Sequence, residues 1–131
     1  VLVEPNYDGK YSWVASVLVA ELIAGDGFFS PKEAVDLVAK CAMKSFYSDA
    51  TVGRNDLVSK AVTLSGHEGW LIETHLTFDI KGLKVKGETA IFMVVRINDT
   101  SSSLYYASIP DSVPEYLVTA RQVQSQLTID P

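Results

Sequence analysis

An α+β domain, with two helices on an antiparallel sheet of about five strands, is the fold class this sequence predicts. Three observations carry it. Trp70 to Asp79 alternates in parity, Ala90 to Ile97 is almost unbroken apolar, and two helix-start signals, at Ser30 and Ser112, bracket the strand candidates. Short connections between the later strands favour antiparallel neighbours, giving the order β-α-β-β-β-β-α.

Val1 to Lys10 holds Pro5, Asn6 and Gly9, turn formers that predict an irregular lead-in. Tyr11 to Ile23 follows as a first strand. Trp13, Val14, Val17, Val19 and Ile23 make it apolar on both parities, the pattern of an inner strand covered on both faces. Gly25, Asp26 and Gly27 end it. Ser30, Pro31 and Glu33 then form a capping box, in which the Ser and Glu side chains satisfy backbone N–H groups. The helix is expected to reach about Tyr47, with Ala34, Val38, Cys41 and Ala42, joined by Leu37 and Ser45, facing inward.

Ser48 to Asn55 reads as a loop and Lys60 to Leu64 as a short strand. Ser65 to Gly69, with two glycines able to take positive φ, connects it as a hairpin to Trp70–Asp79. In that strand Trp70, Ile72, Thr74, Leu76 and Phe78 share one face, and Leu71, Glu73, His75, Thr77 and Asp79 a largely wet one. Lys81, Gly82 and Gly87 turn the chain into Glu88 to Asn98, a central strand by its apolar run. Leu104 to Ile109 is the last strand. Ser112-Val113-Pro114-Glu115 repeats the capping-box pattern and opens a helix to about Gln126, with Tyr116, Ala120, Val123 and Leu127 buried.

The length fits one domain spanning residues 1–131, large enough for a core without staples. A net charge of −5, with 11 dispersed Lys and Arg, opposes nucleic-acid binding, which needs a basic footprint. The single cysteine, Cys41, cannot form an internal disulfide, and its helical phase makes it a buried, inert thiol. No apolar run reaches the roughly 18 residues of a membrane span. Opening on Val1, with no charged leader or cleavage site, predicts an excised or processed form, any targeting segment lying upstream.

Catalytic signatures are missing. His67 sits in a glycine-flanked turn, and His75 shares a strand face with Glu73 and Asp79 at spacings too long for direct hydrogen bonds. No serine lies in a nucleophile elbow, Gly25 and Gly27 do not extend to a dinucleotide fingerprint, and Glu33 with Asp36 suits a first helical turn. Asn98-Asp99-Thr100 matches a glycosylation sequon, relevant only in a secreted eukaryotic protein. Aromatics give the one hint of binding: adjacent Tyr105 and Tyr106 must point to opposite faces, and Phe28 and Phe29 precede the Ser30 cap, where Phe29 serves as a hydrophobic staple. The candidate binding surface is Tyr47, Trp70, Glu73, His75, Tyr105 and Tyr106, with no catalytic, metal or cofactor-binding residue and no cofactor.

Phe46-Tyr47-Ser48-Asp49-Ala50-Thr51-Val52, Gly66-His67-Glu68-Gly69-Trp70 and Tyr105-Tyr106-Ala107-Ser108-Ile109-Pro110-Asp111 together resemble an uncharacterised family of actinobacterial cell-envelope proteins. In layout the chain is similar to the PsbP and Mog-like α/β/α sandwich of LpqN-type mycobacterial lipoproteins. The resemblance covers roughly Trp13 to Ile129 and includes no catalytic signature. No binding residue of PsbP or of the Ran-binding Mog proteins finds a matching motif. The resemblance implies a non-catalytic extracytoplasmic domain, tethered through an anchor and linker upstream of Val1, that binds a protein or envelope ligand. The competing reading is a small enzyme or small-molecule binder with a pocket between sheet and first helix, where Tyr47, Trp70 or Tyr106 joins an ionisable group. A cone of the NTF2 or cystatin type is the alternative fold.

Overall fold

The computed structural model describes residues 1–5, 13–23, 30–46 and 52–129. The central layer is a five-stranded antiparallel sheet in the order β3-β7-β6-β5-β4, built from β3 (Ser16–Ile23), β4 (Gly53–Leu64), β5 (His67–Thr77), β6 (Gly87–Arg96) and β7 (Ser101–Pro110). A two-stranded ribbon, β1 (Leu2–Glu4) with β2 (Trp13–Val14), precedes it. Helix α1 (Pro31–Phe46) joins β3 at one edge to β4 at the other, and α2 (Pro114–Gln126) follows β7. The helices lie on opposite faces, so the α/β/α sandwich forms, and the cone, with its helix on one side of a curved sheet, does not.

β6 is buried from Gly87 to Val95, as an apolar central strand requires. Its even-numbered side chains and those of its neighbours meet α1. Val35, Ala39 and Ala42 pack there against Ile72, Leu76, Phe92 and Val94. Its odd-numbered side chains face α2, where Ala120 packs with Ile91, Met93, Tyr105 and Ala107. Each large aliphatic or aromatic side chain buried this way contributes about 1.5–3 kcal/mol.

The capping box at Ser30 forms in part: its Oγ accepts from the Glu33 amide at 3.3 Å. The inward stripe of α1 agrees with the expected one in part. Ala42 is buried and Ala34 and Val38 pack half-buried on the core, joined by buried Val35 and Ala39, while Leu37, Cys41 and Ser45 are exposed. Cys41 is therefore not a core thiol; it is one step around the helix from Ala42, enough to carry it to solvent. Helix α2 starts at Pro114 behind Val113, with no side-chain cap bond, so Ser112 is not its cap. Only Ala120 is fully buried on α2, and Tyr116 and Val123 stand more than a third exposed.

Four strand expectations change. The lead-in is ordered where β1 pairs with β2, and Glu4 accepts from the amides of Lys84 and Val85 at 2.9 and 2.8 Å, clamping the β5–β6 connection. The first strand is split at Ala15, and β3 is an edge strand paired only with β7. β4 extends seven residues earlier than its apolar part, because an edge strand accepts polar residues such as Arg54, Asn55 and Asp56. The turn between β4 and β5 is Ser65-Gly66, with φ of 50° and 82°, the primed geometry of two-residue hairpins. The expected features at Tyr11, Gly25 to Phe29 and Tyr47 to Thr51 lie outside the described residues.

Gly69, expected in that turn, lies instead inside β5. A Cβ there would stand 2.7 Å from the Val94 carbonyl oxygen and 3.0 Å from Val95 Cγ2, so the β5–β6 spacing depends on its lack of a side chain. Gly69→Ala is expected to lower stability by about 1–3 kcal/mol, read as a lower urea midpoint with unchanged slope. A midpoint equal to wild type would show that the strands can separate at no cost.

Candidate functional site

A polar cluster interrupts the α1-side core where β6 begins. Glu88 lies between Leu76 of β5 and Pro110 of β7 and is 2% exposed. Trp13 Nε1–H donates to Glu88 Oε2 at 3.3 Å, and the Ser108 side chain is hydrogen-bonded to the same carboxyl. Burial pushes Glu88 up to about 7; the bonds from Ser108 and Trp13 oppose the rise, and the charge of Asp111 adds to it. Tyr106 follows on the same side of β7, edge-on to Phe92 with centroids 4.9 Å apart. Burial first, then the Glu88 charge, raises its hydroxyl to about 12 against a bond with Ser108. The Trp13 ring lies 5.3 Å from that of Phe78 and closes the cluster beside the core.

Across the sheet, His75 Nε2 meets both Asp111 carboxylate oxygens, at 2.9 and 3.1 Å. Gly87 makes room for this pair: a Cβ there would stand 2.6 Å from Asp111 Oδ2 and 3.0 Å from His75 Cε1. Two residues along, Glu73 takes Arg121 of α2, with Nε at 2.8 Å and Nη2 at 2.6 Å from Oε1. The face expected to be wet is therefore covered by α2 at Leu71 and Glu73, and opens to solvent from His75 onward, through Thr77 and Asp79. A carboxylate under a helix is tolerable because Arg121 neutralises it while its own far side stays in water.

The other sequence candidates do not converge on one surface. Trp70, half-buried, lies on the α1 side, donating to Ser59 Oγ at 3.0 Å beneath Lys32 Nζ, 5.7 Å from its ring centre. Tyr105 is buried on the α2 side, and its hydroxyl donates to the Ala120 carbonyl at 2.7 Å. Tyr106 is buried on the α1 side, and Tyr47 lies outside the described residues. His67 Nδ1 contacts the Arg96 carbonyl oxygen at 3.0 Å. Asn98 Oδ1 accepts from the Thr100 amide and hydroxyl, closing a turn. Among the described residues no three His, Cys, Asp or Glu side chains assemble as metal ligands.

An accessible apolar hollow lies elsewhere. Between β3, the N-terminus and α2 runs an apolar groove of about 490 Å³, lined by Val1, Val17, Ile109, Tyr116, Thr119 and Val123. It exists because α2 covers β6 and β7 but stops short of β3, leaving Val17 49% and Val19 66% exposed. Sequence reasoning placed Tyr116 and Val123 in the core and missed Arg121 and Glu88. For Glu88 a signal was available: it is the one carboxylate in an otherwise apolar central strand, so it had to be buried.

Glu88 gains a proton more readily in the folded chain than in the unfolded one. Its contribution is therefore most favourable below pH 4.5, falls as pH rises, and is fully lost above about 7. Glu88→Gln keeps an acceptor for Trp13 and a donor for Ser108 without a charge. Its stability relative to wild type should climb by on the order of 3 kcal/mol from acid to mildly alkaline pH, measured by urea unfolding across the range. A difference that stays flat with pH would refute the burial argument.

Two solved structures share the architecture. The solution structure of cyanobacterial PsbP (CyanoP) from Synechocystis sp. PCC 6803 aligns with a TM-score of 0.56 at 11% identity, over 85% of this chain and 65% of that one. The crystal structure of PA94, a protein of unknown function from Pseudomonas aeruginosa, aligns with a TM-score of 0.50 at 11% identity, over 100% and 97% of the two chains. This chain thus spans under two thirds of the length of CyanoP. No protein-family model and no curated protein matches the sequence. No helix among the described residues is long and apolar enough to cross a membrane. At these identities the likeness is one of fold: two helices packed on a five-stranded antiparallel sheet, with a PsbP-like neighbour.

Proposed function

We propose that this chain is a non-catalytic interaction domain that seats an apolar segment of a partner in the groove between α2 and β3. The observation that carries the reading is the exposure of Val17, Tyr116 and Val123 along that groove. Clustered apolar surface of this kind marks binding sites, since water gains most by its removal. The ionisable groups support a binding role over a chemical one. Glu88 is sealed beneath Trp13 and Ser108, Glu73 is held by Arg121, and His75 is held by Asp111. A general acid or base needs hydrogen-bond reach to its substrate. The small-enzyme reading placed Tyr106 with an ionisable group in a pocket; Tyr106 and Glu88 do adjoin, in a filled core.

In this reading the domain works outside the cytoplasm, tethered in its full-length form, as the resemblance to actinobacterial envelope proteins implies. The full-length product should sediment with membranes and be cleaved by protease added outside the cell. A photoreactive residue in place of Thr119, in the groove, should capture a defined partner from the envelope fraction. Val123→Lys, folded by circular dichroism, should weaken that partner's binding at least about tenfold, a loss of ~1.4 kcal/mol. An adduct indifferent to Val123→Lys, or none above background, would sink the groove as the binding site. Saturable uptake of a small apolar molecule in place of a protein would move the reading to a small-molecule binder.

A further inference from the structure

Glu73 and Glu88 are the buried carboxylates among the described residues, and only Glu73 has a cation, Arg121. No Lys, Arg or His among those residues forms an ion pair with Glu88. The charges around it are all committed elsewhere. Lys86, two residues back on β6, pairs with Asp79; Asp111, beyond β7, holds His75; and Glu4 of β1 takes the amides of Lys84 and Val85. α1 turns Val35, Ala39 and Ala42 to this face, with Asp36 tied to Lys32 on its outer side. Most of the cover over Glu88 is sheet: Leu76 of β5, with Tyr106, Ser108 and Pro110 of β7, all buried. Trp13 is the exception, half-buried on a two-residue strand outside the five-stranded sheet.

We propose that Trp13 is a pH-sensitive lid: it seats on Glu88 while that carboxyl carries a proton, and swings out to admit water when the proton is lost, turning the end of β2 at Ala15, which lines the groove. The lid adds regulation to the groove and rests on the groove reading only for what that groove binds.

A buried carboxylate without a cation must draw its stabilisation from hydrogen bonds or from water. Two bonds are present, from Trp13 and Ser108, and burial outweighs them, since the carboxyl keeps its proton up to about 7 instead of 4.5. Water is the remaining source. Leu76, Ser108 and Pro110 cannot yield without breaking the centre of the sheet, whereas Trp13 can yield by leaving one hydrogen bond and the ring of Phe78. Glu4, paired with Trp13 in the ribbon, stays clamped and is the pivot. Ala15, two residues on, holds Val1 through both backbone groups, at 2.7 and 2.8 Å, and the two residues line one end of the groove. The lid is therefore closed in acid and loosens as pH passes about 7. Full hydration of the carboxylate would raise its opening equilibrium by up to about 300-fold, the span between 4.5 and 7.

The Trp13 indole N–H, donated to Glu88, reports the lid directly by hydrogen exchange, and its resonance is the one that remains in Trp70→Phe. Its protection relative to free indole should fall at least about tenfold between about pH 5 and about pH 8.5, while that of Trp70, bonded to Ser59, holds. Glu88→Gln should make the Trp13 protection flat. At every pH it should stay below that of the Phe92 amide in β6, which marks a local opening. Protection that is flat in the wild type, that falls equally in Glu88→Gln, that turns flat in His75→Gln instead, or that equals that of Phe92 would overturn the lid. Capture of a partner through the photoreactive residue at Thr119 should be weaker at about pH 8 than at about pH 6, and independent of pH in Glu88→Gln; pH-independent capture in the wild type would overturn the link to the groove. Where nothing is captured at any pH the groove reading fails, and the indole exchange still decides the lid.

Discussion

Burial of β6 on both faces is the constraint from which the rest of the structure follows. A strand whose side chains are covered from Gly87 to Val95 needs an apolar layer above and below it, and hydrogen-bonded strands on both sides. β5 and β7 supply the neighbours, α1 one layer and α2 the other. The two layers are unequal. α1 places Val35, Ala39 and Ala42 against the sheet, small enough at two positions to bring the helix close. α2 has Ala120 alone fully buried and is fixed by directed contacts, the Tyr105 hydroxyl on its backbone and Arg121 on Glu73. Leu117, with Val113 and Leu127 at the helix ends, adds half-buried packing, and the layer leaves Val17 of β3 exposed.

The same constraint explains Glu88. A polar residue on a doubly covered strand must find partners inside the protein, since unpaired burial costs several kcal/mol. Trp13 arrives from the N-terminal ribbon and Ser108 from β7, so a carboxyl in the first turn of β6 ties three segments distant in sequence. The His75–Asp111 pair on the far side of Gly87 adds a second polar tie at the same end of the sheet. This end is polar, with an open hollow beside it between Gly53, Thr77, Phe78, Asp79 and Lys86; the flank by β3 is apolar and open.

The sheet, its two helices and the central place of β6 were legible because they rest on periodicity, which the chain displays directly. Neighbour relations were not. Tyr11 to Ile23, apolar on both parities, reads as an inner strand, yet β3 is an edge; pattern reports side-chain chemistry, and coverage depends on where other segments end. Polar residues hid the first half of β4 for the converse reason. Within α1 the stripe took in Leu37 and Cys41 and left out Val35 and Ala39, since alanines and a cysteine look alike to hydropathy, and at Ser112 the competing signal was Pro114, which fixes the helix start behind Val113. The candidate site was less legible still. Glu73 and His75 stand out by their place on the strand, but their partners Arg121 and Asp111 lie 48 and 36 residues away and nothing local announces them. Trp70, Tyr105 and Tyr106 sit in three separate environments, so an aromatic surface drawn from sequence had no single place in the fold.

The wrongly read strand is also the most instructive one. Folding does not require an apolar edge: β4 shows that this same sheet accepts arginine, aspartate and lysine at its rim and stays paired to its neighbour. Residues that hold no core together and face water at a cost should drift toward polar ones unless something else retains them. Ile23 at 78% exposure and Val19 at 66% contribute no packing that a threonine could not replace. As β-branched residues they suit the extended backbone of an edge strand, and Val17 alone belongs both to the rim of the sheet and to the floor of the groove. In the proposed reading recognition takes place on this flank, across the sheet from the Glu88 cluster: Ser16 and Ile109, which line the groove, pair with Ser108 and Thr89.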